Sequence, residues 1–286
     1  MNRPLIKILG TSAGGGLPQW NCFCRYCGMA RKGFIPKRKQ SSIALVNGDS
    51  YTLVNASPDI SQQLLYPGEN LQLRKNPMEN IILTDAQLDH TLGLLQIREG
   101  DPLNIFATRL VEHQLTMEFP MLPLLEKYCS KTFTAIELGK TFSPLPGFTV
   151  TPVDITSNSP PYSSFRDVLT PGANIGLIIN EKVFYAPGLL HFTPKINSII
   201  SRMEYILLDG TCWSKTELSF INKPDLEDLG HVSQETLLKT VSQFNCKKVL
   251  IHINNTNPIN DPDSPESKIL AENGIDVAWD GMEIYL

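Results

Sequence analysis

The stretch IILTDAQLDHTLGLL, residues 81–95, decides how the rest of the chain is read. A short apolar run beginning at Ile81 ends in a turn that holds Asp85, Gln87, Asp89 and His90, and a helical pattern restarts at Thr91. An apolar run of this length that delivers polar, metal-type side chains at its end predicts a buried strand presenting a site in the loop before a helix. The chemistry is expected there. The remaining sequence is then asked which residues converge on Asp89 and His90.

The chain has 286 residues and no Ser/Gly/Pro-rich linker, so one layered α/β domain spanning residues 1–286 is expected. A hydrophobic fraction of 42% is ample for a large core, and 25 basic against 29 acidic residues leave no strong field of either sign, which argues against nucleic acid as a partner. No run approaches the ~20 apolar residues of a membrane span, and the start MNRPLIKILGTSAGGG has too short an apolar core for a secretory signal. A cytoplasmic protein is expected. Three of the six cysteines crowd at Cys22, Cys24 and Cys27, unlike an evenly spread disulfide framework, which fits a reducing compartment.

Leu5 to Leu9 reads as a strand running into Gly14, Gly15 and Gly16. This glycine run lacks the Lys and Ser/Thr of a triphosphate loop and is read as a turn shaping a pocket wall. The segment PQWNCFCRYCGMARK supplies C-x-C-x-x-C, whose three thiols can reach one tetrahedral zinc only if the backbone folds round it, predicting a structural zinc loop at 22–27 with its fourth ligand open. Lys37, Arg38 and Lys39 read as a solvated face, with a hold on an acidic substrate as the alternative. Ser41 to Val46 and Tyr51 to Asn55 flank Asn47-Gly48, a hairpin signal. In NASPDI, Ser57 or Asp59 is expected to cap a helix running through Gln62 to Leu65.

Further strands are expected at Leu103–Ala107, Phe148–Val153, Ile175–Asn180, Lys182–Ala186, Tyr205–Leu208 and Lys247–Ile251, with a helix over Arg109–Met117 whose His113 faces the surface. The polar loop DITSNSPPYSSFRDV, which carries Arg166, reads as a lid. His231 precedes a capping box begun by Ser233 and an amphipathic helix. Asp89, His90, Asp209 and His252 each follow an apolar strand-like run, so one sheet edge could gather them. Two imidazoles and two carboxylates suit iron(II), manganese or zinc.

The order of motifs resembles the metallo-β-lactamase superfamily, whose strand-end signature T-H-x-H-x-D-H is written here as Thr84-Asp85-Ala86-Gln87-Leu88-Asp89-His90. More specifically, the chain resembles the pyrroloquinoline quinone (PQQ) biosynthesis protein B family through GGGLPQWNCFCRYC, QSSIAL, NASPDI, LTDAQLDHTLGLL, YAPG, LLDGTCW, LIHINNTNP and DGMEI, blocks that extend over nearly the whole chain. The resemblance implies a metallo-β-lactamase fold, an α/β architecture in which an αββα sandwich of two mixed sheets is flanked by helices. It also implies one metal at Asp89, His90, Asp209 and His252, with Asp209 in the place of the bridging aspartate. The second metal position is crippled, because Asp85 and Gln87 replace its two signature histidines and no third histidine stands in 154–161. A hydrolase that clamps attacking and leaving oxygens between two ions is thereby disfavoured.

The activity implied is hydroxylation of the tyrosine ring of a small Glu/Tyr-derived precursor, with Fe(II) at the active site, O2 as co-substrate and a structural Zn elsewhere. His231 would be a proton donor or substrate contact. Asp85 and Gln87 would either meet the amino-acid end of the substrate or orient the ligands. Asn255 occupies the position that completes the zinc site in related lactamase-fold proteins. The alternatives are carriage or export of the quinone or its precursor, tailoring in a related peptide pathway, and metal-dependent hydrolysis. Whether the protein forms a homodimer is left open.

Overall fold

Alternation of apolar side chains along the strands builds the architecture of the computed structural model, which describes residues 3–64, 76–99, 102–155, 157–218, 231 and 233–286. The expected helix end at Leu65, Thr156 of the polar loop, and Gly230 and Val232 beside His231 lie outside the described residues.

The first sheet has the order β14 (Glu283–Tyr285), β1 (Leu5–Gly10), β2 (Ser42–Asn47), β3 (Ser50–Val54), β4 (Met78–Ile82), β5 (Leu103–Ala107) and β6 (Lys131–Ala135). The second has the order β13 (Ile275–Val277), β12 (Lys247–Ile251), β11 (Tyr205–Asp209), β10 (Val183–Ala186), β9 (Ile175–Ile179), β8 (Phe148–Asp154) and β7 (Phe142–Leu145). Both are mixed. Pairing is antiparallel from β14 to β3 and parallel from β3 to β6, and antiparallel from β7 to β10 and parallel from β10 to β13.

Because strand side chains point alternately to opposite faces, each strand feeds two cores. Ile43 and Leu45 of β2, Leu207 of β11 and Val249 and Ile251 of β12 meet between the sheets. Their neighbours turn outward: Ala44 packs with Val111 and Leu115, and Ile206, Leu208 and Leu250 pack with Ile196, Ile200 and Leu237. The outer layers are carried by α4 (Arg109–His113) and α5 (Met121–Leu125) on the first sheet, and α6 (Pro194–Ile200), α7 (Gln234–Val241) and α8 (Pro265–Glu272) on the second; α1 (Arg25–Arg31), α2 (Ile60–Gln63) and α3 (Leu88–Thr91) lie between strands of the first half. Truncating a fully buried member such as Leu207 to Ala is expected to cost about 2–5 kcal/mol.

Several local expectations change. The helix after β4 begins at Leu88, so Asp89 and His90 stand in its first turn rather than in the loop before it. Asp59 precedes α2 but makes no cap with its side chain, because its carboxylate instead accepts the backbone and side-chain amides of Gln40; Ser57 Oγ donates to Gln63. Ser233 precedes α7 without capping it, its hydroxyl being paired with that of Thr236. Of the basic run only Lys37 is exposed as a solvated face would be: Arg38 is buried and donates to Thr11 Oγ1 and the Ala278 carbonyl, and the half-buried Lys39 pairs with Asp280. His113 is exposed, as expected.

Candidate metal centre

The parallel halves of the two sheets end on the same side, and the loops leaving β3, β4, β11 and β12 supply the polar side chains there. Ligand sites in open α/β sheets form at such carboxyl ends. Asn55, just after β3, adopts φ 64° and binds Thr84 through both its amide groups, with Nδ2 2.9 Å from Thr84 Oγ1 and Oδ1 3.0 Å from the Thr84 N–H. Thr84 Oγ1 in turn donates to Asp85 at 2.8 Å. Asp85 also accepts the Gln87 N–H at 2.9 Å and faces His90 Nδ1 with both oxygens, at 2.8 and 2.9 Å.

Burial pushes the Asp85 carboxyl up, yet the His90 charge and these hydrogen bonds outweigh it and hold the group below the usual carboxylate range. An ionised carboxylate only accepts hydrogen bonds, so Nδ1 of His90 carries the proton. Its other nitrogen, Nε2, is buried and has no hydrogen-bond partner among the described residues. An orphaned ring nitrogen held in one orientation fits a metal ligand, since buried polar atoms are otherwise paired.

His252 follows β12 with φ 62°, a left-handed conformation rarely adopted outside glycine and characteristic of constrained sites. The Ile253 N–H donates to the Thr11 carbonyl at 2.8 Å and the Ala13 N–H to the Ile253 carbonyl at 2.9 Å, which pins the turn. His252 Nε2 lies 3.3 Å from Asp89 Oδ2, and its ring meets that of His90 edge-on at 5.3 Å. The donor atoms of Asp89, His90 and His252 all lie within 4.8 Å of one another. Asp89 is held well below the usual carboxylate range: burial works against this, but the charges of His90 and His252 and the His252 hydrogen bond prevail.

Asp209, the fourth ligand that the resemblance implies, meets this triplet at His252. It is fully buried at the end of β11, and both of its oxygens are already engaged. Oδ1 accepts the Thr211 N–H and hydroxyl at 3.1 and 2.5 Å, and Oδ2 faces His231 Nδ1 at 2.9 Å. Asp209, His231 and His252 form a second triplet of donor atoms within 4.8 Å, sharing His252 with the first. His231 therefore joins the site through Asp209, its ring stacked on that of His252 at 5.5 Å.

These groups line a cavity of about 250 Å³. Its wall includes Gly14, where a Cβ would come 3.2 Å from Asp89 Oδ2, in keeping with a glycine turn shaping a pocket. Opposite stand Asn158, Pro161 and Arg166 of the polar loop. That loop, expected as a lid, is packed against the domain in this structure: Tyr162 donates to the Ala86 carbonyl at 2.6 Å, Gln114 to Ser163 at 2.9 Å, and Arg166 Nη1 to the Ser159 carbonyl at 2.7 Å. The Gln87 amide reaches the Asn158 carbonyl at 3.4 Å, so it braces the wall.

The thiols of Cys22, Cys24 and Cys27 also gather within 4.8 Å of one another, and none of the six cysteines forms a disulfide. Burial pushes the Cys27 thiol up to about 11, whereas hydrogen bonds from the neighbouring thiols, the Cys24 backbone and Asn255 bring Cys22 below the ordinary thiol value against the effect of its burial. Asn255 is buried with its amide nitrogen 3.4 Å from Cys27 Sγ and 3.8 Å from Cys24 Sγ, on the remaining side of the cluster. Thr84, Asn55 and Thr211 lie within the quoted motifs but carry parts of the centre to which the sequence assigned no role. Their signal was position, each falling one or two residues past the end of a strand.

A family description, the beta-lactamase superfamily domain, matches residues 51–253. The chain is 41% identical over 304 residues to coenzyme PQQ synthesis protein B of Stutzerimonas stutzeri, covering 98% of this chain and 99% of that one. Its identity to the protein of the same description in Acinetobacter baylyi is 42% over 302 residues, covering 98% and 99%. Among solved structures it is similar to Zn(2+)-bound PqqB from Methylobacterium extorquens, with 31% identity, a TM-score of 0.88 and coverage of 99% and 100%. A diphosphatase of the PhnP family shares the fold at 17% identity and a TM-score of 0.72, covering 100% and 98%.

Proposed function

Since the chain belongs to the coenzyme PQQ synthesis protein B family, on the metallo-β-lactamase fold, we propose that within PQQ biosynthesis it hydroxylates the tyrosine ring of a small Glu/Tyr-derived precursor, using non-haem iron and dioxygen. The observation that carries this reading is the triplet Asp89, His90 and His252, two imidazoles and one carboxylate converging across the two sheets. Two histidines and a carboxylate on one face of a metal, with open positions beside them, are the ligand set of non-haem iron(II) oxygenases. Iron(II) held there would supply dioxygen activation next to the bound ring.

The protein's own residues do the rest. Asp85 and Asp209 act from behind, Asp85 fixing the orientation of His90 and Asp209 that of His231. His231, backed by Asp209, can accept or return a phenolic proton at its Nε2. Arg166 is braced on the Ser159 carbonyl and lines the wall facing the triplet, where a guanidinium suits a substrate carboxylate. The Cys22, Cys24 and Cys27 cluster, with Asn255 beside it, is read as a closed structural zinc site.

Two-metal hydrolysis is opposed by Asp85, whose oxygens are spent on His90, Thr84 and Gln87 rather than offered to a second ion. No helix among the described residues is long and apolar enough to cross a membrane. The step puts one oxygen atom of dioxygen on the ring and releases the other as water, with two electrons from an external reductant; mass spectrometry of a Glu–Tyr substrate after incubation with the iron-loaded protein, a reductant and dioxygen tests the proposal.

A further inference from the structure

We propose that Thr211 is a positioning residue whose single hydroxyl sets the orientation and tautomer of His231 and His252 together; this rests on reading Asp89, His90 and His252 as metal ligands. Thr211 is buried, two residues past the end of β11, with Gly210 between. Its Oγ1 lies 2.5 Å from Asp209 Oδ1, 3.1 Å from His231 Nδ1, 3.0 Å from His252 Nδ1 and 3.0 Å from the His252 carbonyl.

A hydroxyl has one proton to donate and two lone pairs to accept with. Asp209 and the His252 carbonyl can only accept, and the shortest contact assigns the Thr211 proton to Asp209. The two ring nitrogens then meet a hydroxyl that can only accept from them, next to a carboxylate that can only accept. Both must therefore be N–H, which leaves Nε2 of each imidazole as the atom presented to the pocket. The two rings stack beside this oxygen at 5.5 Å, inclined at 26°. For His252 the hydroxyl matters most, because Asp209 Oδ1 is 3.7 Å from its Nδ1, beyond a good hydrogen bond. Asp209 alone can hold His231, but it cannot hold His252.

The test is a cobalt(II) titration of protein whose cysteine cluster already holds zinc, comparing wild type with Thr211→Val, Thr211→Ala and Thr211→Ser. Loss of a hydrogen bond that orients a ligating histidine is expected to weaken binding about 10- to 100-fold. Thr211→Val and Thr211→Ala should show that loss, and Thr211→Ser, which keeps the hydroxyl, should recover most of it. Wild-type affinity in Thr211→Val overturns the proposal, as does failure of Thr211→Ser to recover. Should the apolar variants not fold, long-range proton–nitrogen NMR of the zinc-loaded wild type decides: protons on Nδ1 of both His231 and His252 support the proposal, and a proton on Nε2 of His252 overturns it. A wild type that shows these metal and tautomer properties without hydroxylating tyrosine would overturn the functional reading and leave Thr211 in its role.

Discussion

Nδ1 of His90 lies 2.8 Å from one oxygen of Asp85 and 2.9 Å from the other, and Asp85 occupies a position where the superfamily signature has a metal-binding histidine. Exchanging imidazole for carboxylate at this point turns a ligand for one ion into the support of a ligand for another. Asp85→Ala is expected to weaken iron binding about 10- to 100-fold, while Asp89→Ala removes a ligand outright and should leave no measurable binding at this centre. Calorimetric titration of both variants with iron(II) under anaerobic conditions checks the order. Equal, intact affinity in Asp89→Ala would show that the metal lies elsewhere.

The metal-free protein should lose stability towards alkaline pH. Burial pulls the His252 imidazole down, but the adjoining carboxylates of Asp209 and Asp89 carry it from 6.5 up to about 10. A folded value above the unfolded one contributes stability that is complete below 6.5 and is lost as the pH climbs through about 10. Asp209 has the opposite sign: held down to about 2 by His231 and His252 despite its burial, it contributes stability present above 3.8 and lost as the pH falls through about 2. Melting of chelator-treated protein should accordingly decline between pH 6.5 and about 10. Metal must displace the His252 proton, so metal affinity should rise over the same range. A flat profile in both measurements contradicts the hydrogen-bonded arrangement around His252.

Arg166 is expected to act on binding rather than on the chemical step. Losing a charged hydrogen bond to substrate corresponds to ~1.5–3 kcal/mol, so Arg166→Ala should raise KM roughly 10- to 100-fold with kcat little changed. Arg166→Lys should not restore it, because an ammonium cannot reproduce the planar fork. The discriminating comparison uses a substrate whose carboxylate is replaced by a carboxamide. Wild type and Arg166→Ala should handle that analogue alike, and a persistent difference would assign Arg166 to holding the wall through Ser159 instead.

The cysteine loop should influence a centre it does not touch. Asn255 contacts Cys24 and Cys27 and lies three residues beyond His252 on the same short segment. Cys27→Ser is expected to release the structural zinc and lower stability by about 2–4 kcal/mol. It should also weaken iron binding, whereas substitutions at Asp89 should leave the zinc in place. Zinc release followed with a chelating dye and thermal melting read both arms, and undiminished iron affinity in the zinc-free variant would uncouple the two sites.

The strands were legible because β2, β11 and β12 carry apolar runs buried on both faces over most of their length, and the stretch around Asp89 was legible because a polar cluster follows such a run. What the pattern could not supply was which polar atoms face each other across the sandwich. Asp209 was legible from its place at a strand end, but only the geometry shows that its oxygens meet Thr211 and His231. Arg38 read as surface charge from its two lysine neighbours, yet a buried acceptor from a segment 240 residues away holds it inside. Asp59 had good capping chemistry, and a tertiary hydrogen bond from Gln40 overrode it.

The central claim is that Asp89, His90 and His252 hold an iron that hydroxylates a tyrosine ring. Its most direct test is the mass of a Glu–Tyr substrate after incubation with the iron-loaded, zinc-stapled protein and a reductant under isotopically labelled dioxygen. The account predicts a gain of one oxygen atom on the tyrosine ring, carrying the label from dioxygen, and no gain in Asp89→Ala. An unchanged substrate mass with tight retention of the quinone, or equal turnover with zinc alone, would contradict it.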